Sequence, residues 1–201
     1  MSLLAPTAVK PIDRTLFWAP WDGPGLEHLR LRSADIGYVA TGTVLGLANG
    51  LPFRLQYKVK CDADWRVRKV LLDCLGPQGS TERLLRTTGR GQWKDGSGEI
   101  LQELDGCHDV DISATPFTNT LAIRRLKLKP GQQAQLRVAY LSVPTLQIRP
   151  VDQSYTCVEQ RPDGMTVTYD GAFRGFKADL PLDADGLVVD YPETFRRVYP
   201  A

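Results

Sequence analysis

Apolar and polar residues alternate most clearly along the segment from Leu51 to Leu75. Five apolar residues interleave with four polar ones, as follows: Phe53, Leu55, Tyr57, Val59 and Cys61 against Arg54, Gln56, Lys58 and Lys60. A period of two predicts a β-strand with one apolar face and one basic face. Asp62-Ala63-Asp64 comes next and is typical of a tight turn, because aspartate side chains bond their own backbone there. The segment is therefore predicted to form a β-hairpin.

The register of this hairpin follows from its apolar pattern. A three-residue turn pairs these positions across the strands: Cys61 with Trp65, Val59 with Val67, Tyr57 with Lys69 and Leu55 with Leu71. On the other face it pairs like charges: Lys60 with Arg66 and Lys58 with Arg68. Like charges directly opposite each other destabilise a sheet. We therefore expect an acidic group, from this chain or from a ligand, to cover that face.

The rest of the chain also favours strands over helices. Glycine and proline, 18 and 14 residues, leave little uninterrupted room for helices of average length, about 11–12 residues. A second hairpin is predicted from Phe173–Leu180 through Asp183-Ala184-Asp185-Gly186 into Leu187–Val189. Asn119–Leu128 stays ambiguous between a strand and a helical turn. The remaining strand candidates are Asp35–Val44, Thr81–Thr87, His108–Ile112, Gln133–Ser142, Thr145–Val151 and Met165–Tyr169. The pattern predicts a mainly β fold in a single domain over residues 1–201.

Composition and charge narrow the function classes. The 201 residues carry 25 basic and 23 acidic side chains, so a net charge of +2 gives no reason to expect nucleic acid as a partner. No apolar run approaches the roughly 18 residues of an integral membrane segment. The first twenty residues lack the pattern of a secretory signal, so we expect a cytoplasmic protein. Its cysteines are then expected to be reduced and buried: Cys61, Cys74, Cys107 and Cys157.

The residues with the clearest chemical potential lie between Asp105 and Arg125. On a strand, Asp109 and Asp111 share one face, and three interpretations are open. They could ligate a metal with Asp105 or His108, act as a general acid and base, or neutralise nearby arginines. The ion-pair interpretation is favoured, because the spacing matches no EF-hand and no nucleophile or cofactor motif is present. His108 would lie on the apolar face as a core histidine. We therefore predict no catalytic residue, no metal and no cofactor.

Three segments resemble a known family. They are Cys61–Arg66 (CDADWR), Leu104–Leu126 (LDGCHDVDISATPFTNTLAIRRL) and Leu182–Pro192 (LDADGLVVDYP). They resemble motifs of the bacterial family of putative glycolipid-binding proteins, formerly a domain of unknown function, although proline would be expected at Ala122. The resemblance covers essentially the full chain. It implies a curved antiparallel sheet forming a partly open barrel with few short helices, and a groove suited to a lipid or glycolipid.

We therefore expect a protein that binds an amphipathic ligand, a lipid or glycolipid, in an apolar groove without catalysis. Arginines at the groove mouth would meet phosphate or sugar oxygens, carboxylates would orient them, and an aromatic ring would stack on a sugar. The predicted ligand-binding residues are Trp65, Arg66, Asp105, Asp109, Asp111, Asn119, Arg124, Arg125 and Tyr191. The alternative is a small-molecule enzyme, a hydrolase or isomerase, using Asp105, Asp109 and Asp111. A third possibility is a scaffold whose sheet edge pairs with another protein; the sequence leaves the oligomeric state open.

Overall fold

The structure, a computed structural model, describes residues 9–200 as fourteen β-strands, one α-helix and two short 3-10 helices. The strands are β1 Asp13–Pro20, β2 Leu26–Ala34, β3 Gly37–Ala48, β4 Leu51–Asp62, β5 Val67–Gly76, β6 Gly79–Thr87, β7 Trp93–Lys94, β8 Asp109–Ile112, β9 Gln133–Ser142, β10 Gln147–Arg161, β11 Gly164–Gly171, β12 Phe176–Asp183, β13 Asp190–Tyr191 and β14 Phe195–Tyr199. Helix α1 spans Phe117–Leu126, and the 3-10 helices span Gln102–Leu104 and Ala172–Arg174. The mainly β fold class is confirmed.

The strands form two sheets. The larger has nine strands in the order β13-β14-β1-β2-β3-β4-β5-β6-β7, and the smaller has five in the order β12-β11-β10-β9-β8. All strand pairs are antiparallel except β8 with β9, which is parallel. The long connection that a parallel pair requires is supplied by α1. Neither sheet is closed into a barrel in the described part of the chain.

Two hydrophobic clusters account for the alternation along the strands. The inner face of the large sheet buries residues such as Leu29, Leu55 and Trp93 against the first turns of α1. The smaller sheet buries Tyr155 and Tyr169 against the end of α1. Helix α1 lies between the two clusters, and all of its residues from Phe117 to Ile123 are buried, including the polar Thr118, Asn119 and Thr120. No helix in the described residues is long and apolar enough to span a membrane.

The predicted hairpin exists as β4 and β5, but its register was wrong. Cys61 pairs with Val67, and a bulge after Lys60 sets Lys60 opposite Lys69. The turn is longer than predicted because the Asp62 side chain accepts two backbone N–H groups, from residues 64 and 66, at 3.0 Å each. Trp65 adopts a left-handed φ of 64° within it. The side chain of Asp62 therefore sets the turn, and the turn sets the register.

The expectation was that an acidic group, from this chain or from a ligand, covers the basic face; within residues 9–200 this chain meets it only at Arg68. Lys58, Lys60, Arg66 and Arg68 are all exposed. Of these four, Arg68 has a carboxylate partner in residues 9–200, namely Asp62 at 2.8 Å. The aspartates that were expected to neutralise nearby arginines, Asp109 and Asp111, lie elsewhere, on β8.

Several other predictions changed once the tertiary structure was known. The segment Asn119–Leu128, which was ambiguous between strand and helix, lies largely in α1. The strand that begins at Phe176 pairs with β11. Leu187–Val189, its predicted partner, contributes only an isolated bridge at Val188. His108 is exposed, so it is not a core histidine. Strands β1, β2, β7, β13 and β14 were not predicted. All four cysteines are buried free thiols, as expected.

Candidate ligand-binding site

An open groove of about 410 Å³ lies at one end of the large sheet. Its walls come from the β1–β2 connection, the β3–β4 hairpin and short segments around residues 113, 143 and 195. Most of the lining is apolar, including Trp18, Val44 and Phe53. Clefts of 300–1,000 Å³ with apolar walls and few polar groups are typical of small-molecule sites. Three leucines of the lining segments stay 41–55% exposed: Leu26, Leu45 and Leu47.

One ionisable side chain is buried at this groove. Glu27, from β2, is 2% exposed and lies on the apolar face of the sheet. Its Oε1 accepts hydrogen bonds from the Tyr57 hydroxyl at 2.5 Å and from the Thr115 hydroxyl at 2.7 Å. Its Oε2 has no hydrogen-bond partner in residues 9–200. A buried carboxyl with a free oxygen is costly unless it is neutral or meets another group.

Burial raises the pKa of the Glu27 carboxyl to about 7, although the hydrogen bonds from Tyr57 and Thr115 act in the opposite direction. Burial, followed by the nearby Glu27 charge, also raises the pKa of the Tyr57 hydroxyl, which therefore remains a donor. Below about pH 7 the groove consequently contains a neutral carboxylic acid. Such a group can both donate and accept hydrogen bonds, and suits an uncharged polar partner such as a hydroxyl.

Gly42 makes room for the ring that orients Glu27. Gly42 and Tyr57 are direct cross-strand neighbours on β3 and β4, and a Cβ at position 42 would lie 2.1 Å from the Tyr57 ring. The ring therefore lies flat against the backbone of β3, with its hydroxyl directed at Glu27. Gly46 and Phe53 repeat this arrangement at the groove, where the corresponding distance is 3.0 Å.

We expect Gly42→Ala to lower the free energy of unfolding by about 1–3 kcal/mol, because the methyl group overpacks the site and displaces Tyr57. Urea denaturation measures the loss. Gly96→Ala is the matched control, since a Cβ there meets Leu84 at an ordinary 3.5 Å. Equal stabilities for the two variants would contradict this role for Gly42.

Of the residues predicted from the sequence, Trp65 and Arg124 line a second cavity, of about 600 Å³. Trp65 is 3% exposed and stacks on Tyr38 at 4.2 Å between ring centroids. The Arg124 guanidinium lies 5.1 Å from the centroid of the Trp65 ring. This cavity is basic, since its lining also includes Lys10, Lys127, Lys129 and Arg161.

The two Asp-Ala-Asp turns meet around Arg124. The Asp183 side chain accepts the N–H groups of residues 185 and 187 at 3.0 Å, as Asp62 does for residues 64 and 66. Gly186 has a left-handed φ of 76°, like Trp65 with 64°. A Cβ at Gly186 would lie 2.8 Å from Arg124 Cδ. The Arg124 side chain therefore packs between Gly186 of one turn and Trp65 of the other.

The basic cavity lies far from the apolar groove. Strand β3 contributes Tyr38 to the cavity and Gly46 to the groove. Eight residues of extended strand span about 26 Å. Trp65 and Arg124 therefore do not form the mouth of the apolar groove.

Five other predicted residues lie in the interior or at its edge: Asp109, Asp111, Asn119, Arg125 and Tyr191. Asp109 and Asp111 share one face of β8, as predicted. Asp109, 1% exposed, accepts two hydrogen bonds from Arg125, at 2.9 Å from Nε and 2.5 Å from Nη2. Asp111 accepts from Gln153 at 2.6 Å and from Thr118 at 3.1 Å, and burial raises its pKa. Asp109 and Arg125 therefore form the structural ion pair that the sequence favoured.

Asn119 and Tyr191 complete the interior set. The Asn119 side chain accepts from the Tyr155 hydroxyl at 2.8 Å, and the Tyr191 hydroxyl accepts from Arg174 at 3.1 Å. Both residues are buried. The remaining two, Arg66 and Asp105, are exposed. Within residues 9–200, no three acidic, histidine or cysteine side chains are placed to hold a metal ion together.

Sequence reasoning missed Glu27, although β2 contains a signal for it. Leu29 and Leu31 alternate with Arg30 and Arg32, which predicts an inward apolar face. Extending that alternation by one step puts Glu27 on the same face as the two leucines. An acid in phase with an apolar stripe is unusual, because charged residues are rarely fully buried without a partner.

The fold and the groove together define a mainly antiparallel β protein with an open apolar groove at one end of its larger sheet. A family model described as "Putative glycolipid-binding" matches residues 15–197, and the chain belongs to this family.

Two solved structures resemble the chain. A DUF1089 family protein from Pseudomonas aeruginosa is 38% identical, covering 89% of this chain and 95% of its own, with a TM-score of 0.78. A β-barrel-like protein of the DUF1849 domain from Brucella abortus is 13% identical, covering 94% and 96%, with a TM-score of 0.57. The second likeness concerns the fold alone. No curated protein gives a significant match.

Proposed function

We propose that this protein binds an amphipathic lipid or glycolipid without chemical turnover, with the apolar part of the ligand in the groove. The observation that carries the proposal is the open apolar groove of about 410 Å³ with the Glu27 carboxyl buried at its wall. The family description and the half-exposed leucines of the lining support the same ligand class. Exposed apolar patches commonly mark binding surfaces.

The uncharged state of Glu27 favours an uncharged polar group on the ligand. A neutral acid hydrogen-bonds to hydroxyls, whereas a buried carboxylate would require a cation. A sugar or glycerol hydroxyl near the apolar tail matches this requirement. The proposal therefore assigns the groove, rather than the residues predicted from the sequence, to the ligand.

Binding is favoured over the enzyme alternative because the three aspartates named for catalysis do not act together. Asp109 is neutralised by Arg125, Asp111 is held by two hydrogen bonds, and Asp105 is on the surface. None of the three lines the apolar groove.

The test is thermal unfolding of the purified protein with a panel of dispersed lipids: a neutral glycolipid, a phospholipid and a free fatty acid. A ligand present at about 100 times its dissociation constant stabilises the fold by about 2.7 kcal/mol. For a chain of this size that corresponds to a rise in Tm of about 5–10 °C. No rise with any lipid would overturn the proposal.

A groove-filling variant locates the binding site. Ala48 lines the groove, so Ala48→Trp is expected to abolish the rise in Tm that lipid produces. Thr41→Trp is the matched control, because Thr41 is exposed on the opposite face of the same strand. A full response in Ala48→Trp would place the ligand elsewhere.

A further inference from the structure

A small basic pocket lies at the far end of β4 from the apolar groove. Its volume is about 270 Å³, and its lining consists of Arg66, Gly89, Arg90, His108 and Arg125. Three parts of the chain meet here: the β4–β5 turn, the loop after β6 and the region of β8 and α1. No carboxylate of the described residues lines it.

Three carboxylates near this pocket have cationic partners. Asp109 accepts two hydrogen bonds from Arg125, and Asp62 binds Arg68 at 2.8 Å. Asp64 lies 3.8 Å from Lys127. No carboxylate oxygen of residues 9–200 lies within 4.0 Å of the Arg66 or Arg90 guanidinium nitrogens.

The walls of the pocket are held by backbone contacts. Gly89 has a left-handed φ of 75°, and a Cβ on it would lie 3.1 Å from Cβ of Arg66. Gly91 accepts a backbone hydrogen bond from Gly106 at 2.9 Å, and Trp93 donates to the Cys107 carbonyl at 2.7 Å. The loop carrying Arg90 is thus fixed against the segment that leads to His108.

A row of cations on the outer face of the large sheet runs beside the pocket. Directly paired positions on four adjacent strands are all basic: Lys60, Lys69, Arg86 and Lys94. Within residues 9–200, none of these four has a carboxylate within 4.0 Å of its side-chain nitrogen. Lys69 follows Arg68 and Arg86 precedes the loop of Arg90, so the row adjoins the pocket. Like charges in register cost stability and create a positive field that attracts anions.

We infer that this pocket is a binding site for a phosphoryl group, with Arg66 and Arg90 as its principal ligands. Guanidinium groups donate paired hydrogen bonds that match phosphate oxygens, and His108 adds an imidazole N–H. Arg125 contributes one edge while its other donors neutralise Asp109. The site is separate from the apolar groove and does not depend on the function proposed for it.

The test is isothermal titration of the full chain at low ionic strength with three probes. They are inorganic phosphate, glycerol phosphate, and phosphatidylcholine vesicles containing phosphatidic acid. Arg66→Gln and Arg90→Gln are each expected to weaken binding about tenfold or more, because each removes charge-assisted hydrogen bonds. Arg54→Gln, an exposed arginine at the other end of β4, is the matched control and should bind as the wild type does.

The three probes distinguish the source of the phosphoryl group. Binding of both soluble probes indicates a free phosphorylated compound, and binding of vesicles alone indicates a lipid headgroup. Either result supports the site when Arg66→Gln and Arg90→Gln each weaken that binding about tenfold or more. Failure of all three probes to bind the wild type would overturn the inference, as would unchanged affinity in both variants. Ala48→Trp should retain phosphate binding, so this test and that of the groove fail independently.

Discussion

Raising the pH from 4.5 to 8 is expected to lower the free energy of unfolding of the wild type by about 3 kcal/mol more than that of Glu27→Gln. Burial raises the pKa of Glu27 from 4.5 to about 7 in the folded state. Each pKa unit corresponds to about 1.4 kcal/mol. The folded state therefore binds this proton more tightly than the unfolded chain, and stability falls as the pH rises between the two values. Urea denaturation at several pH values measures the difference.

The comparison with Glu27→Gln is needed because burial also raises the pKa of Asp111, which contributes to the pH dependence of both proteins. Subtracting the two curves isolates Glu27. We expect the difference to be near zero at pH 4.5 and complete at pH 8, where Glu27→Gln is the more stable protein. Parallel curves would show that the Glu27 carboxyl does not resist ionisation in the fold.

Arg125→Gln is expected to lower the free energy of unfolding by about 3–5 kcal/mol. The substitution leaves the Asp109 carboxylate, 1% exposed, without its bidentate partner in a buried position. Desolvation of an unpaired charge, rather than loss of a favourable contact, accounts for the size of the effect. Urea denaturation at neutral pH is the measurement.

Arg124→Gln is the matched control, because Arg124 is the neighbouring residue on α1 and its cation stacks on Trp65. Its loss is expected to cost about 0.5–1 kcal/mol. The double variant Asp109→Asn/Arg125→Gln should recover much of the stability lost by Arg125→Gln alone. Equal costs for Arg124→Gln and Arg125→Gln would contradict a structural role for the Asp109–Arg125 pair.

The candidate site was the least predictable part of the molecule. Most of the residues proposed from the sequence were polar side chains clustered along the chain, because local density of charge is visible in a sequence. In the fold they divide among a basic cavity, the interior and the surface. Glu27, Tyr57 and Thr115 are distant in sequence and meet through the β2–β3–β4 register and the loop before α1. No local sequence pattern predicts that these three side chains come together.

The β4–β5 hairpin shows which features a local sequence pattern can predict and which it cannot. Alternation along β4 predicted its inward and outward faces correctly, since side chains on a strand alternate whatever the strand pairs with. The register was wrong because a single side chain, Asp62, binds two backbone N–H groups and lengthens the turn. A shift of this kind changes every cross-strand pair. The like-charged pairs predicted across the hairpin are replaced by a different row of cations, in which Lys60 lies opposite Lys69.

By itself the sequence determined that this protein is mainly β, where most of its strands lie, which face of β4 is buried and which family the chain belongs to. These properties follow from short-range periodicity, turn chemistry and motifs, which act over a few residues. Only the tertiary structure decided that β8 runs parallel to β9, that Glu27 is buried at an apolar groove and that four cations stand in register beside a basic pocket. The physical reason is that pairing, burial and electrostatic environment depend on residues far away in the chain.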